Sequence, residues 1–273
     1  MKKELYEKPL DTVRTYDGDS VSGDVSSLHY ESVNGASHMP TIAVFGAYGT
    51  TGMYFSSQAL DAGYHVHALI LPELVDNKWE SLQHRRNFSA IHGNLDDEKK
   101  VRAVLEDAQC VVCLLNDTIE TTSKQYPKKF LSSFVEFLYP IMKETPTIRV
   151  FLYQATSLAK DARGNTPVLS QVIKTVAHRR NAFLKDQDAI ISFIASQHAC
   201  VEEADDQPTF SFIVTRPTVL LKEGPAGHKK LKASKSQPGP FPIHYVDLAS
   251  FSLDALQMER LYNTSPYVVA DTF

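Results

Sequence analysis

The stretch Thr41-Ile42-Ala43-Val44-Phe45-Gly46-Ala47-Tyr48-Gly49-Thr50-Thr51-Gly52 constrains the fold of this chain more than any other. An apolar run of strand type stops at Gly46, glycines recur at 49 and 52, and a helical pattern continues from Met53 to Ala62. The first glycine allows a tight turn, the second lets backbone approach a phosphate, and the third lets helix and strand pack closely. The helix N-terminus then presents N–H groups and the positive end of a dipole to an anion. Gly46, Tyr48, Gly49, Thr50, Thr51 and Gly52 are therefore candidate residues for holding a dinucleotide pyrophosphate.

The rest of the chain repeats the alternation. Strands are expected at Ile42–Phe45, His65–Leu71, Ser89–His92, Cys110–Leu115, Arg149–Tyr153, Phe210–Arg216 and Tyr267–Ala270. Helices are expected between them: Met53–Ala62 ended by Gly63, a helix after Asp96-Asp97 with Val101, Val104 and Leu105 as its apolar stripe, and one within Pro127–Lys143. A long helix is expected within Val168–Leu184, which Ala189–Ala195 could extend, and another at Val246–Gln257. The unbroken apolar run at Cys110–Leu115 suits a parallel strand covered on both faces. The fold class is α/β: a Rossmann-like doubly wound parallel sheet with a small C-terminal substrate lobe.

Residues 1–38 differ. They are polar, rich in Ser, Asp, Gly and Lys, and carry no helical stripe or alternating run. Gly35-Ala36-Ser37-His38-Met39 resembles a cloning scar before an initiator Met. A disordered extension or expression tag is expected at 1–38, and the folded domain at 39–273. A formal net charge of −4 and a pI near 6.2 argue against non-specific nucleic-acid binding. No apolar run reaches the length of a membrane span, and a cytoplasmic setting is expected. Cys110 and Cys113 form a C-x-x-C pair within a strand, where residues three apart point to opposite faces. They read as separate core thiols, with no metal between them. The oligomeric state is not readable.

Further landmarks carry a resemblance. Gly93-Asn94-Leu95-Asp96 resembles a G-D-L-x-D element, Phe212-Ile213-Val214-Thr215-Arg216-Pro217 resembles a W-T-I-V-R-P strand, and His244-Tyr245-Val246-Asp247-Leu248-Ala249 resembles a V-x-D-L/V-A helix start. With the glycine loop, residues 41–273 resemble the atypical short-chain dehydrogenase/reductases, in particular the NmrA-like and biliverdin/flavin-reductase-like branch. The resemblance implies NADP(H) as cofactor, with NAD(H) left open, and a variable small-molecule substrate site. Tyr48 replaces the first threonine of the usual G-A-T-G-x-T-G loop. Leu71-Pro72 stand where many NADP-using relatives carry Arg; Arg85 and Arg86 are the candidates for a 2′-phosphate contact, a solvated basic pair being the alternative. Asn94 replaces the usual Asp near the adenine; Leu95 beside it, with Leu115 and Asn116 at the end of the fourth strand, completes the cofactor-binding set.

Hydride transfer needs a held nicotinamide, a substrate in reach and a donor for the developing oxyanion. The Tyr-x-x-x-Lys pair of short-chain dehydrogenases is absent from the helix after Arg149–Tyr153, which offers Lys174, His178, Arg179 and Arg180. Thr156-Ser157 matches a Thr-Ser of the reductase branch, so Ser157 is the first candidate for a substrate hydrogen bond, a helix cap being the alternative. Tyr153 reads as a donor or as a core strand residue, and His178 as an acid or a hydrogen-bonded, partly buried helix histidine. Thr218 stands where that branch has a substrate histidine. Tyr126, Phe130, Phe134, Phe137 and Tyr139 read as a core-facing stripe or the lining of a flat apolar site, and the basic run His228–Lys232 with Lys235 as a solvated loop or a lid. With these residues the resemblance implies an NADP(H)-dependent reductase of a small carbonyl, enone or quinone-like aromatic compound, with specialised metabolism as an expected setting. The rivals are a non-catalytic NADP(H) sensor and a non-redox isomerase or cyclase in the same cleft.

Overall fold

A computed structural model describes residues 40–72, 80–115, 129–165, 181–203, 210–221, 230–236 and 241–271. All of them belong to the unit Met39–Phe273. The expected extension at 1–38 lies outside the described residues. So do His178, Asn116, Tyr126, Lys174, Arg179, Arg180, His228 and Lys229.

The first six strands are β1 (Thr41–Phe45), β2 (His65–Ile70), β3 (Phe88–His92), β4 (Ala108–Cys113), β5 (Val150–Gln154) and β6 (Ser211–Pro217). They pair in parallel in the order β3-β2-β1-β4-β5-β6, the doubly wound arrangement. The helices among them are α1 (Thr50–Asp61), α2 (Glu80–Gln83), α3 (Glu98–Leu105), α4 (Phe130–Lys143) and α5 (Asn181–Glu203). The chain then adds β7 (Leu220–Leu221), β8 (Leu231–Ser234), β9 (Ile243–His244), α6 (Tyr245–Ala255) and β10 (Tyr267–Ala270). β10 extends the sheet parallel to β6, and β8 closes its edge antiparallel to β10. β7 and β9 form a separate parallel pair.

Strand alternation sorts the core into two layers. Ala43 and Phe45 of β1 face the cluster that holds Val101 and Val104 of α3, Leu131 and Leu138 of α4, and Ile190 and Ile194 of α5. Ile42 and Val44 face the other cluster, with Phe55 and Ala59 of α1 and Leu248 and Phe251 of α6. Phe45 meets Phe134 edge-on, ring centroids 5.2 Å apart. Cys113 lies in the first layer and half-buried Cys110 against the second, so the strand separates the two thiols as the C-x-x-C spacing requires. Burial pushes both thiols up to about 12, which leaves them protonated and unreactive at neutral pH.

Phe134 and Tyr139 are buried, with Phe130 and Phe137 packed beside them, so the described part of the aromatic stripe is core. Asp97 caps α3 by accepting from the Lys100 N–H at 3.2 Å. The cap of α4 comes from elsewhere. Its N-cap residue Lys129 has φ 62° and offers no side-chain bond, and buried Asp186 on α5 accepts from the Leu131 and Ser132 N–H groups at 2.9 and 3.1 Å. A carboxylate there satisfies two orphan donors and complements the helix dipole. Asp186→Asn keeps one acceptor and removes the charge; urea melts are expected to show a loss of about 1–2 kcal/mol.

One expectation is corrected here. Leu231 and Lys232, read as part of a solvated basic loop, belong to strand β8, whose edge position needs only one hydrogen-bonded neighbour. Lys232 pairs with Asp271 at 2.5 Å from that edge, where lysine is well tolerated.

Candidate functional site

Strand order reverses direction between β1 and β4, and in such sheets the crevice beyond the carboxyl ends of those strands is where ligands bind. The glycine loop sits there. Gly46 leaves β1 with φ +96°, and a Cβ on it would stand 2.7 Å from the Leu114 carbonyl carbon and 2.8 Å from the Leu115 nitrogen. A Cβ on Gly52 would stand 2.0 Å from the Gly46 oxygen, so the first turn of α1 rests on the strand exit. The Gly49 N–H donates to Gly46 O at 3.1 Å, and Gly49 O accepts from Met53 N–H at 2.8 Å as the helix begins. α1 has no side-chain cap and no acidic residue in its first turn. Thr50 is half-buried at this N-terminus, Thr51 is fully buried, and half-buried Tyr48 packs against both core layers.

Asn94 and Leu95 follow the carboxyl end of β3, where the Gly93 N–H donates to Ile70 O at 3.1 Å. Asn94 is exposed, and Leu95 packs on the core. Leu115 is buried at the exit of β4 beside Gly46. These positions share the edge of the sheet that carries the glycine loop.

Arg85 and Arg86 do not. They precede β3 and therefore stand at the amino end of a parallel strand, opposite the glycine loop. Arg85 Nη2 donates to Asp61 Oδ1 at 2.6 Å, and Asp61 is the last residue of α1, a helix whose first turn is at the loop. Twelve residues of helix span roughly 18 Å, so the expected 2′-phosphate contact from this pair is corrected by geometry. Arg86 is simply exposed.

Beyond β5 the ladder with β6 continues. The Ala155 N–H donates to Thr215 O at 2.8 Å and the Ser157 N–H to Pro217 O at 2.9 Å. Ser157 is half-buried at the carboxyl edge, and its hydroxyl has no hydrogen-bond partner among the described residues. Next along β6, Thr218 Oγ1 donates to Phe241 O at 2.8 Å. Val219 is 62% and Phe241 66% exposed, an apolar surface continuous in backbone bonding with the Ser157 turn.

Of the two readings of Tyr153, substrate donor or core strand residue, the structure places it as core. It is enclosed in the core, its hydroxyl donating to Gln187 Oε1 at 3.0 Å. A Tyr-x-x-x-Lys spacing does occur at Tyr139–Lys143, but on α4. Tyr139 packs against Phe193 and Phe210, and burial pushes its phenol up to about 12, the reverse of what proton exchange at neutral pH needs. Among the described residues no group of three or more His, Cys, Asp and Glu could hold a metal, and no helix is long and apolar enough to cross a membrane. Sequence reasoning missed Arg216, which the motif Thr215-Arg216-Pro217 had marked only as a resemblance; the structure buries its guanidinium behind the Ser157 turn.

No curated protein matches the chain. Solved structures that it resembles include a short-chain dehydrogenase/reductase from Veillonella parvula, at 13% identity and TM-score 0.62 over 86% of this chain and 95% of that one. A Veillonella parvula structure of the same description, in complex with NADP, gives 13% identity and TM-score 0.60 over 86% and 96%. An anaerobillin reductase from Escherichia coli O157:H7 gives 13% and 0.59 over 86% and 98%. Likeness at such identity speaks for the fold. Residues 38–144, a segment that runs from β1 to α4, match the model of the NmrA-like family, and the fold is Rossmann-like.

Proposed function

We propose that this protein is an NADP(H)-dependent oxidoreductase that reduces a small carbonyl, enone or quinone-like aromatic acceptor. The observation that carries the reading is the glycine loop at the switch point, bare at Gly46 and Gly52, where any Cβ would strike backbone. The NADP complex of the Veillonella relative, on the same fold, supports the choice of cofactor. Gly46–Gly52 would hold the pyrophosphate against the uncapped start of α1, with Asn94, Leu95 and Leu115 along the same edge. NADPH supplies a hydride when bound.

The chain's own part is positioning. The Ser157 hydroxyl donates to the acceptor oxygen and stabilises the negative charge that grows there, while Val219 and Phe241 give an apolar ring a surface to rest on. Asn116 and His178 remain candidates on the cofactor and substrate sides. Tyr153 acts from behind, holding α5 to β5 through Gln187. NADPH oxidation with a panel of quinones, enones and flavins tests this. Turnover that falls about 10- to 100-fold in Ser157→Ala supports it; NADPH binding without turnover on any acceptor removes it.

That second outcome would favour an NADP(H)-sensing regulatory protein, a reading supported by the enclosure of Tyr153 and the core position of Tyr139. In the same NADPH titrations Arg85→Ala is expected to leave the dissociation constant within about twofold, since a lost surface ion pair acts locally. A tenfold weakening would return Arg85 to the cofactor site.

A further inference from the structure

Arg216 ends the apolar run of β6 with a charge that is 3% exposed. A buried guanidinium needs partners in place of its water. Nε donates to Ser265 O at 2.8 Å, Nη1 donates to Ala159 O at 3.3 Å, and the guanidinium carbon lies 3.9 Å from the centroid of the Tyr267 ring. Burial pulls its pKa down, and Tyr267 and Asp161 oppose that pull, so the group remains a cation.

These contacts tie β6 to the turn after β5 and to the Ser265–Tyr267 stretch that enters β10, segments remote from one another in sequence. The same turn is tied at other points. The Lys160 N–H donates to Asp188 Oδ1 at 2.9 Å, and the Ala162 N–H donates to Ser265 Oγ at 2.7 Å. Ser157 sits two residues before Ala159, with its amide bonded to Pro217, the residue after Arg216. Its hydroxyl is the group the turn leaves free among the described residues.

We propose that Arg216 is the positioning residue for Ser157: its guanidinium, held over the Tyr267 ring and bonded to Ala159 and Ser265, fixes the turn that aims the Ser157 hydroxyl at the acceptor. This rests on the role given to Ser157 above. Lysine cannot replace it, because an ammonium has neither the planar face for the ring nor the fork that reaches two carbonyls at once. The work done is orientation, where an error of an ångström at the reacting group costs on the order of 100-fold in rate.

The test uses the full chain, with Arg216→Lys, Ser157→Ala and the double variant. Tyr267→Leu serves as a milder perturbation that leaves the guanidinium in place. Three quantities are read: amide hydrogen exchange at Ser157, Lys160 and Ala162; kcat and KM for NADPH-driven reduction of menadione; and the NADPH dissociation constant. Arg216→Lys is expected to speed exchange at those amides about tenfold or more while amides of β1 and β4 keep their protection. It is expected to lower kcat about 10- to 100-fold and leave NADPH affinity within about twofold. In the Ser157→Ala background the same change should cost less than about twofold, since both act through one hydroxyl. Tyr267→Leu should follow Arg216→Lys in direction with smaller effects.

Multiplicative losses in the double variant, or unchanged exchange at the three amides, overturn the proposal. If the unaltered protein binds NADPH and reduces nothing, the reductase reading falls instead, and the exchange data alone decide whether Arg216 fixes the turn.

Discussion

Replacing Gly52 with alanine is expected to abolish NADPH binding and to lower unfolding free energy by about 3 kcal/mol or more. The added Cβ would lie 2.0 Å from the Gly46 oxygen, 2.8 Å from the Gly46 carbonyl carbon and 2.8 Å from the Ala47 Cα. All three neighbours are backbone, so no side chain can swing aside, and relief requires moving α1 off β1. That movement displaces the helix N-terminus from the loop that would cradle the pyrophosphate. Gly164→Ala is the control. Gly164 has φ +87° and nothing within 4 Å of an added Cβ, so alanine there meets conformational strain alone, about 1–2 kcal/mol. Chemical melts and NADPH titration on both variants separate steric wedge from backbone strain. A Gly52→Ala protein that binds NADPH normally would refute the close packing of loop and helix.

The second large effect is set by pH. His198 on α5 is 6% exposed, and neither ring nitrogen has a hydrogen-bond partner among the described residues. Tyr139, Phe210 and Phe212 surround it, with ring centroids 6.3, 6.0 and 4.7 Å away, and Lys143 at the end of α4 adds positive charge nearby. Burial, followed by Lys143, lowers its pKa from 6.5 to about 4. The folded protein therefore holds His198 neutral in a window where the unfolded chain has already taken up a proton. The unfolded state binds more protons between those two values, so stability is full above pH 6.5 and drains away as pH falls toward about 4. At about pH 5 the loss relative to neutral pH is on the order of 2 kcal/mol from this residue. In His198→Leu that part of the acid slope should vanish, with stability at neutral pH held or raised, because an apolar group suits the aromatic cage. Urea melts at the two pH values provide the check; an unchanged slope in the variant would place the acid sensitivity elsewhere.

Local signals in the sequence carried far. Gly46 and Gly52 announced the strand–helix turn because the need for a missing Cβ is written in the residue itself. Asp97 announced the start of α3, and the strand at Tyr267–Ala270 has the bounds its apolar run suggested. The opposite facing of Cys110 and Cys113 followed from period-two geometry. What escaped depends on partners remote in the chain. β8 reads as a polar lysine segment and becomes a strand only because β10 offers an open edge. Asp186 caps a helix more than fifty residues away, which no local spacing encodes. Arg85 looked available for a phosphate until the register of β3 placed it at the wrong end of the sheet, against Asp61. Tyr153 could be read as donor or core, and only the packing of α5, which supplies Gln187, separates the two. The chemistry at the substrate side was the least readable part, since its key cation, Arg216, acts by tertiary contacts alone.

The central claim is that the Gly46–Gly52 loop at the β1–β4 switch point holds a dinucleotide. Titration of the full chain with NADPH, followed by nicotinamide fluorescence, addresses it most directly. The prediction is saturable one-to-one binding in the micromolar range that Gly52→Ala removes and Gly164→Ala retains. No saturation up to millimolar NADPH or NADH, or equal binding by the Gly52→Ala protein, would contradict it.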